Sequence, residues 1–220
     1  TFSLPAGYTC PGAKDCLSKF SRTNHRIEDG PGVQHRCFAA SLEASFRSLS
    51  AMVDANLEKL RAAKTTEKMA ALIEASLPQR GYKIIRVHVG GDFFNEAYFL
   101  AWMEVARRNP DRLFYAYTKS LPTWLKFRKL VPKNFVLTAS YGGKWDALIR
   151  KHRLRHSIVI HHPDEANGGP IDHDDSYARD PKVKVLYLLL HGTQPPKSPA
   201  SAAIKRMKDE GIQYAYPRSR

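Results

Sequence analysis

Cysteine is scarce in this chain. Of 220 residues only three are cysteine, and they are Cys10, Cys16 and Cys37. An odd count, clustered beside Gly and Pro, excludes the paired framework that staples small secreted domains. Long apolar runs are missing too: the longest, Val185 to Leu190, is strand-sized, far short of the ~20 residues a membrane span needs. Neither G-x-G-x-x-G nor G-x-x-x-x-G-K occurs, which excludes the two common Gly-rich phosphate loops. The opening residues hold no basic stretch followed by an apolar one, so no secretory leader is expected in them and the chain reads as cytoplasmic. Internal repeats, low-complexity tracts, zinc-finger spacings and RNA-recognition motifs are absent.

Acidic residues are outnumbered, 21 Asp and Glu against 35 Lys and Arg, for a net charge of +14. So positive a surface attracts polyanions, which makes nucleic acid a candidate partner or substrate. Nothing in the sequence fixes an oligomeric state. The length suits a single domain with a sizeable core, spanning 1–220, with 1–37 as a cysteine-bearing loop and 38–220 as β/α units.

Apolar spacing predicts a long helix from Phe38 to Ala63 (Leu42, Phe46, Leu49, Val53, Leu57, Leu60) and a second from Thr66 to Leu77. Strands are expected at Phe2–Leu4, Lys83–Val89, Arg112–Thr118, Asn134–Ser140, His156–His161, Lys182–Leu190 and Ile212–Tyr216. Helices are expected at Asn95–Arg108, Leu121–Leu130, Lys144–His152 and Pro199–Glu210, with Asn95 as an N-cap. Strands alternating with helices argue for a parallel sheet. A partial (β/α) barrel with helices outside is expected in preference to an open doubly wound sheet. Both place functional residues at the carboxyl ends of strands.

Those ends carry Gly90-Gly91-Asp92, Thr118-Lys119-Ser120, Ser140, His161-His162 and His191. Glycines let backbone approach a ligand, and an adjacent carboxylate can receive an amine or a ribose hydroxyl. The alternative for this trio is a tight turn with a capping Asp. Lys119 can hold a carboxylate or phosphate, or start a helix in solvent. The acidic stretch from His161 to Asp175 reads as surface, as a lid, or as a metal site for a nuclease using Asp172, His173 and Asp174.

Three thiolates can grip three irons of a [4Fe–4S] cluster and leave the fourth iron open to a small molecule. Zinc completed by His25 or His35, and three unrelated thiols, are the other readings. The order of short strand, cysteine loop, Cys37-Phe38-Ala39-Ala40 opening a helix, second strand and Gly90-Gly91-Asp92 resembles the front half of the radical S-adenosylmethionine (SAM) superfamily. The segment Arg86 to Phe94, with Tyr115 to Ser120, also resembles a family of phage-encoded proteins allied to it. The resemblance implies Cys10, Cys16 and Cys37 as cluster ligands, Gly90, Gly91 and Asp92 at the amino group of SAM, and Ser140 at its ribose or carboxylate. Lys119, His161 and His191 are then the candidate catalytic residues, in contact with substrate. A phage origin implies the host cytoplasm. In this chain the cysteine spacing is looser than the superfamily's C-x₃-C-x₂-C, and Asp stands where Glu is usual. A non-catalytic iron–sulfur protein that binds DNA or RNA is the alternative function.

Overall fold

Short apolar strands separated by helical segments can bury both sheet faces only as parallel strands joined by crossovers. In the computed structural model, which describes residues 1–78 and 81–214, five strands do this: β3 (Ile84–Arg86), β4 (Leu113–Thr118), β5 (Phe135–Ser140), β6 (His156–Ile160) and β7 (Val185–Leu189). They lie side by side in chain order, and every neighbouring pair is parallel. The result is a five-stranded parallel half-barrel with helices packed outside. Phe2 extends it, bridging Val87 in parallel, while Leu4 N–H donates to Gly90 O at 2.9 Å. The expected first strand is thus a short ribbon along the free edge of β3.

The two-residue period of the strands sorts their side chains. Ile85, Phe114, Phe135 and Leu137 face the main core, where they meet α4 (Glu96–Arg108) with its fully buried Tyr98, Phe99 and Trp102. Tyr115, Tyr117 and Val136 face the concave side, where they meet Ala178. Asn95 caps α4 as expected, its Oδ1 accepting from Tyr98 N–H at 2.8 Å. Thr65 does the same for α3 (Thr66–Ser76).

Four expectations are corrected. The helix from Phe38 to Ala63 is two helices, α1 (Phe38–Ser45) and α2 (Arg47–Ala63). Phe46 between them is extended and 57% exposed; the break turns α1 towards the hairpin β1 (Ser18–Phe20) and β2 (Ile27–Asp29). That antiparallel hairpin lies within residues 1–37, which carry little apolar pattern. The helix expected over Leu121–Leu130 is α5 (Leu121–Lys126) followed by a separate 3-10 turn at Arg128–Leu130. The strand expected at Ile212–Tyr216 does not form over Ile212–Tyr214, and its remainder lies outside the described residues. The remaining helices are α6 (Asp146–Lys151), α7 (Ser176–Arg179) and α8 (Pro199–Asp209).

The acidic stretch is tied to the body of the fold, and among the described residues no three of its His, Asp or Glu side chains are grouped to hold a metal ion. It folds back under the concave face as a plug centred on α7, which contacts β4 and β5. Arg86 Nη1 pairs with Asp175 Oδ2 at 2.7 Å, and the Tyr115 and Tyr117 hydroxyls donate to the same carboxylate. Arg155, just before β6, ties the plug, donating to Thr138 Oγ1 and to the carbonyls of Tyr177, Ala178, Asp180 and Val183. Asp172 accepts from the Ala178 and Asp174 N–H groups.

Candidate functional site

The cysteine loop is laid across the carboxyl ends of β4 and β5. Gly12 O accepts from Lys144 N–H and Asp15 N–H donates to Gly142 O, each at 2.9 Å, with Ala13 and Gly143 forming an antiparallel bridge. Gly12 has to be glycine: a Cβ there would sit 2.2 Å from Lys119 O. Farther on, Gln34 and His35 N–H groups donate to Asp15 O, and Arg36 N–H donates to Gln194 Oε1 beyond β7. The first 37 residues therefore roof the mouth of the half-barrel from β3 to β7.

Beneath that roof is a cavity of about 160 Å³. Cys16, His35, Arg36, Cys37 and Phe38 line it from above. Arg86, Tyr117, Lys119 and Ser140 line it from β3 to β5, and Val159, Leu188, Leu190 and His191 from β6 and β7.

The three cysteines are free thiols, each partly exposed. Burial pushes the Cys37 thiol up to about 12, with the Cys16 sulfur adding to it. Burial also raises Cys10 well above the usual range, reinforced by Asp92, Cys37 and Cys16. Cys16 and Cys37 are on the cavity wall, and Cys10 is not. They do not form a closed ligand set: among the described residues no three His, Cys, Asp or Glu side chains are grouped to hold a metal ion. The zinc reading, with His25 or His35 as fourth ligand, and the Asp172–His173–Asp174 nuclease site gain no such group either. A cluster is a wider object than one ion, because each thiolate grips a different iron.

The Gly-Gly-Asp turn serves the roof. A Cβ on Gly91, whose φ is +85°, would meet Thr9 Oγ1 at 2.6 Å and Leu4 Cβ at 2.7 Å; one on Gly90 would meet Ala39 Cβ at 2.9 Å. Gly91 lines the cavity, whereas Gly90 and Asp92 do not. Asp92 is buried, and both its oxygens have protein partners. Oδ1 accepts from Thr118 Oγ1 at 2.6 Å and from Phe93 N–H, and Oδ2 from Lys119 N–H at 2.8 Å. Desolvation outweighs these bonds and raises its pKa.

Lys119 and Ser140 come together at the cavity wall: Lys119 Nζ donates to Ser140 Oγ at 2.6 Å and to the Ser140 and Tyr141 carbonyls. His191 also lines it, its ring 4.7 Å from that of Phe38, and burial lowers its pKa. His161 does not line the cavity; its ring is edge-on to that of the lining His35, with centroids 6.5 Å apart. Burial, then the charges of Lys119, His161 and His191, hold His35 down to about 4.

Two residues at the site were not singled out from the sequence. Arg86 could have been, since strand alternation puts it on the same face as Tyr115 and Tyr117. His88 could not. It holds φ +68°, a left-handed conformation that costs a bulky residue, and nothing in Val87-His88-Val89 announces it. Its Nε2 meets the Tyr98 hydroxyl at 2.9 Å, while Nδ1 is buried with no hydrogen-bond partner among the described residues. Burial pushes its pKa down to about 3.

Residues 1–208 match the family described as GP88, Gene product 88. The Gene 88 proteins of Mycobacterium phages L5 and D29 are each 30% identical over 128 residues, which cover 54% of this chain and 47% of theirs. The match thus spans about half the length of these curated relatives. No solved structure matches.

Proposed function

As this chain belongs to the Gene product 88 family of phage proteins, we propose for that fold and site an iron–sulfur protein of the radical SAM type, with Cys10, Cys16 and Cys37 holding a [4Fe–4S] cluster. One observation carries the reading: an all-parallel half-barrel in chain order has the three thiols roofing its carboxyl mouth, two of them on the wall of a cavity. The donor set fits in kind. Thiolate is the ligand such clusters select, and three of them leave one iron free. When bound, the cluster would supply the electron that cleaves SAM to a hydrogen-abstracting radical.

The chain's own residues have separate tasks in this reading. Gly90 and Gly91 let the roof close onto β3, keeping the cavity sheltered from water. Ser140 presents a hydroxyl oriented by Lys119 for the ribose or carboxylate of SAM. Lys119, His161 and His191 stand where a substrate would enter. Asp92 stands off the cavity wall, with Oδ1 taken by Thr118 and Phe93 N–H and only one acceptor position left on Oδ2 beside Lys119 N–H, which places it poorly to receive the amino group of SAM.

That last point, with the charge of +14, favours the second reading: a non-catalytic iron–sulfur protein that binds nucleic acid. The decisive experiment is anaerobic reconstitution, iron and sulfide analysis, reduction with dithionite and addition of SAM. Formation of 5′-deoxyadenosine is expected, together with loss of the visible chromophore in Cys37→Ala. A reducible cluster that yields no 5′-deoxyadenosine rejects the enzyme reading, and a salt-sensitive DNA complex under the same conditions supports the alternative. Protein that takes up neither iron nor sulfide rejects both.

A further inference from the structure

The cavity has two unlike walls. Val159, Leu188, Leu190 and Phe38 make one side apolar, whereas Arg86, Tyr117, Lys119 and Ser140 make the other polar. No Asp or Glu lines it. Two of its cations are already compensated, Arg86 by Asp175 at 2.7 Å and Arg36 by Asp29 at 2.8 Å.

Lys119 is in a different position. The hydrogen-bond acceptors of its Nζ, at 2.6, 3.2 and 2.5 Å, are all neutral oxygens: Ser140 Oγ, Ser140 O and Tyr141 O. They aim the ammonium and leave its charge unneutralised. The carboxylate within its field, Asp92, is engaged elsewhere and is not on the wall. His35 and His191 line the same cavity, and the ring of His161 lies 6.5 Å from that of His35. No Asp or Glu on the wall answers the charge of Lys119. A half-buried cation with neutral partners only is incomplete without an anion, because little water is present to screen it.

We propose that the cavity binds a phosphomonoester, with its phosphate on Lys119 and its apolar or flat body along Val159, Leu188 and Leu190. A phosphate presents three acceptor oxygens to the Lys119 ammonium where a carboxylate presents two, and the two-walled lining suits a ligand that is charged at one end only. This names a substrate class for the site of the preceding section and rests on that section in taking the cavity as the active site. Binding itself needs no cluster.

The test is calorimetric titration of the full chain under anaerobic conditions, before and after reconstitution, with adenosine 5′-monophosphate, adenosine, inorganic phosphate and SAM as probes. The nucleotide is expected to bind about tenfold or more tighter than the nucleoside, with inorganic phosphate competing. Lys119→Met should remove that preference and Lys119→Arg should keep most of it. His191→Gln, which leaves the Lys119 cradle intact, should weaken the nucleotide several-fold and spare the nucleoside; it decides the matter if Lys119→Met does not fold. Equal affinity for nucleotide and nucleoside overturns the proposal. So does Lys119→Met that weakens SAM and leaves the nucleotide untouched, because the anion is then the carboxylate of SAM. Phosphate-dependent binding without 5′-deoxyadenosine formation rejects the radical chemistry alone, and the converse result rejects the phosphomonoester alone.

Discussion

At the residue scale His88 shows how burial sets chemistry. Its ring packs against Phe93 and Tyr98 in a left-handed backbone conformation, and its pKa falls to about 3. An unfolded histidine titrates near ~6.5. The folded state therefore stays neutral where the unfolded state is charged. The stabilisation is complete above pH ~6.5 and is lost as pH falls towards the folded value, at up to about 1.4 kcal/mol per pH unit. His88→Asn keeps a residue that tolerates φ > 0 and removes the titration. Urea unfolding between pH 4 and 7 should show a flatter pH dependence in the variant by roughly that slope; parallel curves would contradict the assignment. Cys37 makes the opposite shift. With its thiol held up to about 12, iodoacetamide should modify it in the cluster-free chain far more slowly at pH 8 than it modifies a cysteine peptide, which mass spectrometry of timed samples will read.

Two elements frame the cavity, and each has its own anchor. The roof is held by Glu43, a buried carboxylate that accepts from Ala6 N–H at 2.8 Å and pairs with Arg22, which also grips Asp54 on α2. It is seated by Gly12, whose missing Cβ admits the carbonyl of Lys119. Gly12→Ala should lift the cysteine loop off β4 and β5, with far-ultraviolet circular dichroism unchanged and iron uptake on reconstitution much reduced; full uptake would show that the seat is not needed. The floor is held by Arg86 and Asp175, whose side chains are only 12% and 10% exposed. Asp175→Ala strands a buried guanidinium and removes the acceptor of two tyrosine hydroxyls. A loss of about 3 kcal/mol in urea unfolding is expected, the range for breaking one side of a buried pair.

At the scale of the whole molecule the excess of 14 positive charges bears on partners and not on fold. Among the described residues no helix is long and apolar enough to cross a membrane. If the chain engages nucleic acid through this charge, affinity should fall by orders of magnitude between ~50 and ~200 mM salt, with little dependence on sequence. A filter-binding series over salt will read that slope; binding that is insensitive to salt would point to a defined pocket instead.

Much of this protein was legible in its residues. The strands expected at Arg112–Thr118 and Asn134–Ser140 form, as does the helix start expected at Asn95, because these signals are local and are answered by neighbours in the chain. The half-barrel class followed from strands alternating with helices. What the residues could not settle were relations over long separations. Phe46 fits the helical period and yet breaks the helix, since packing of α1 on the hairpin outweighs one residue's propensity. Asp92 reads as a ligand-facing acid, and the folded chain spends its oxygens on Thr118, Phe93 and Lys119. The stretch from His161 to Asp175 reads as surface, as a lid or as a metal site, and Arg86 from 89 residues upstream draws Asp175 into a floor. Composition and period act between neighbours, so sequence alone determined the elements and their class. Which face each polar group turns to, and which charge remains uncompensated, depends on partners that only tertiary contact brings within reach.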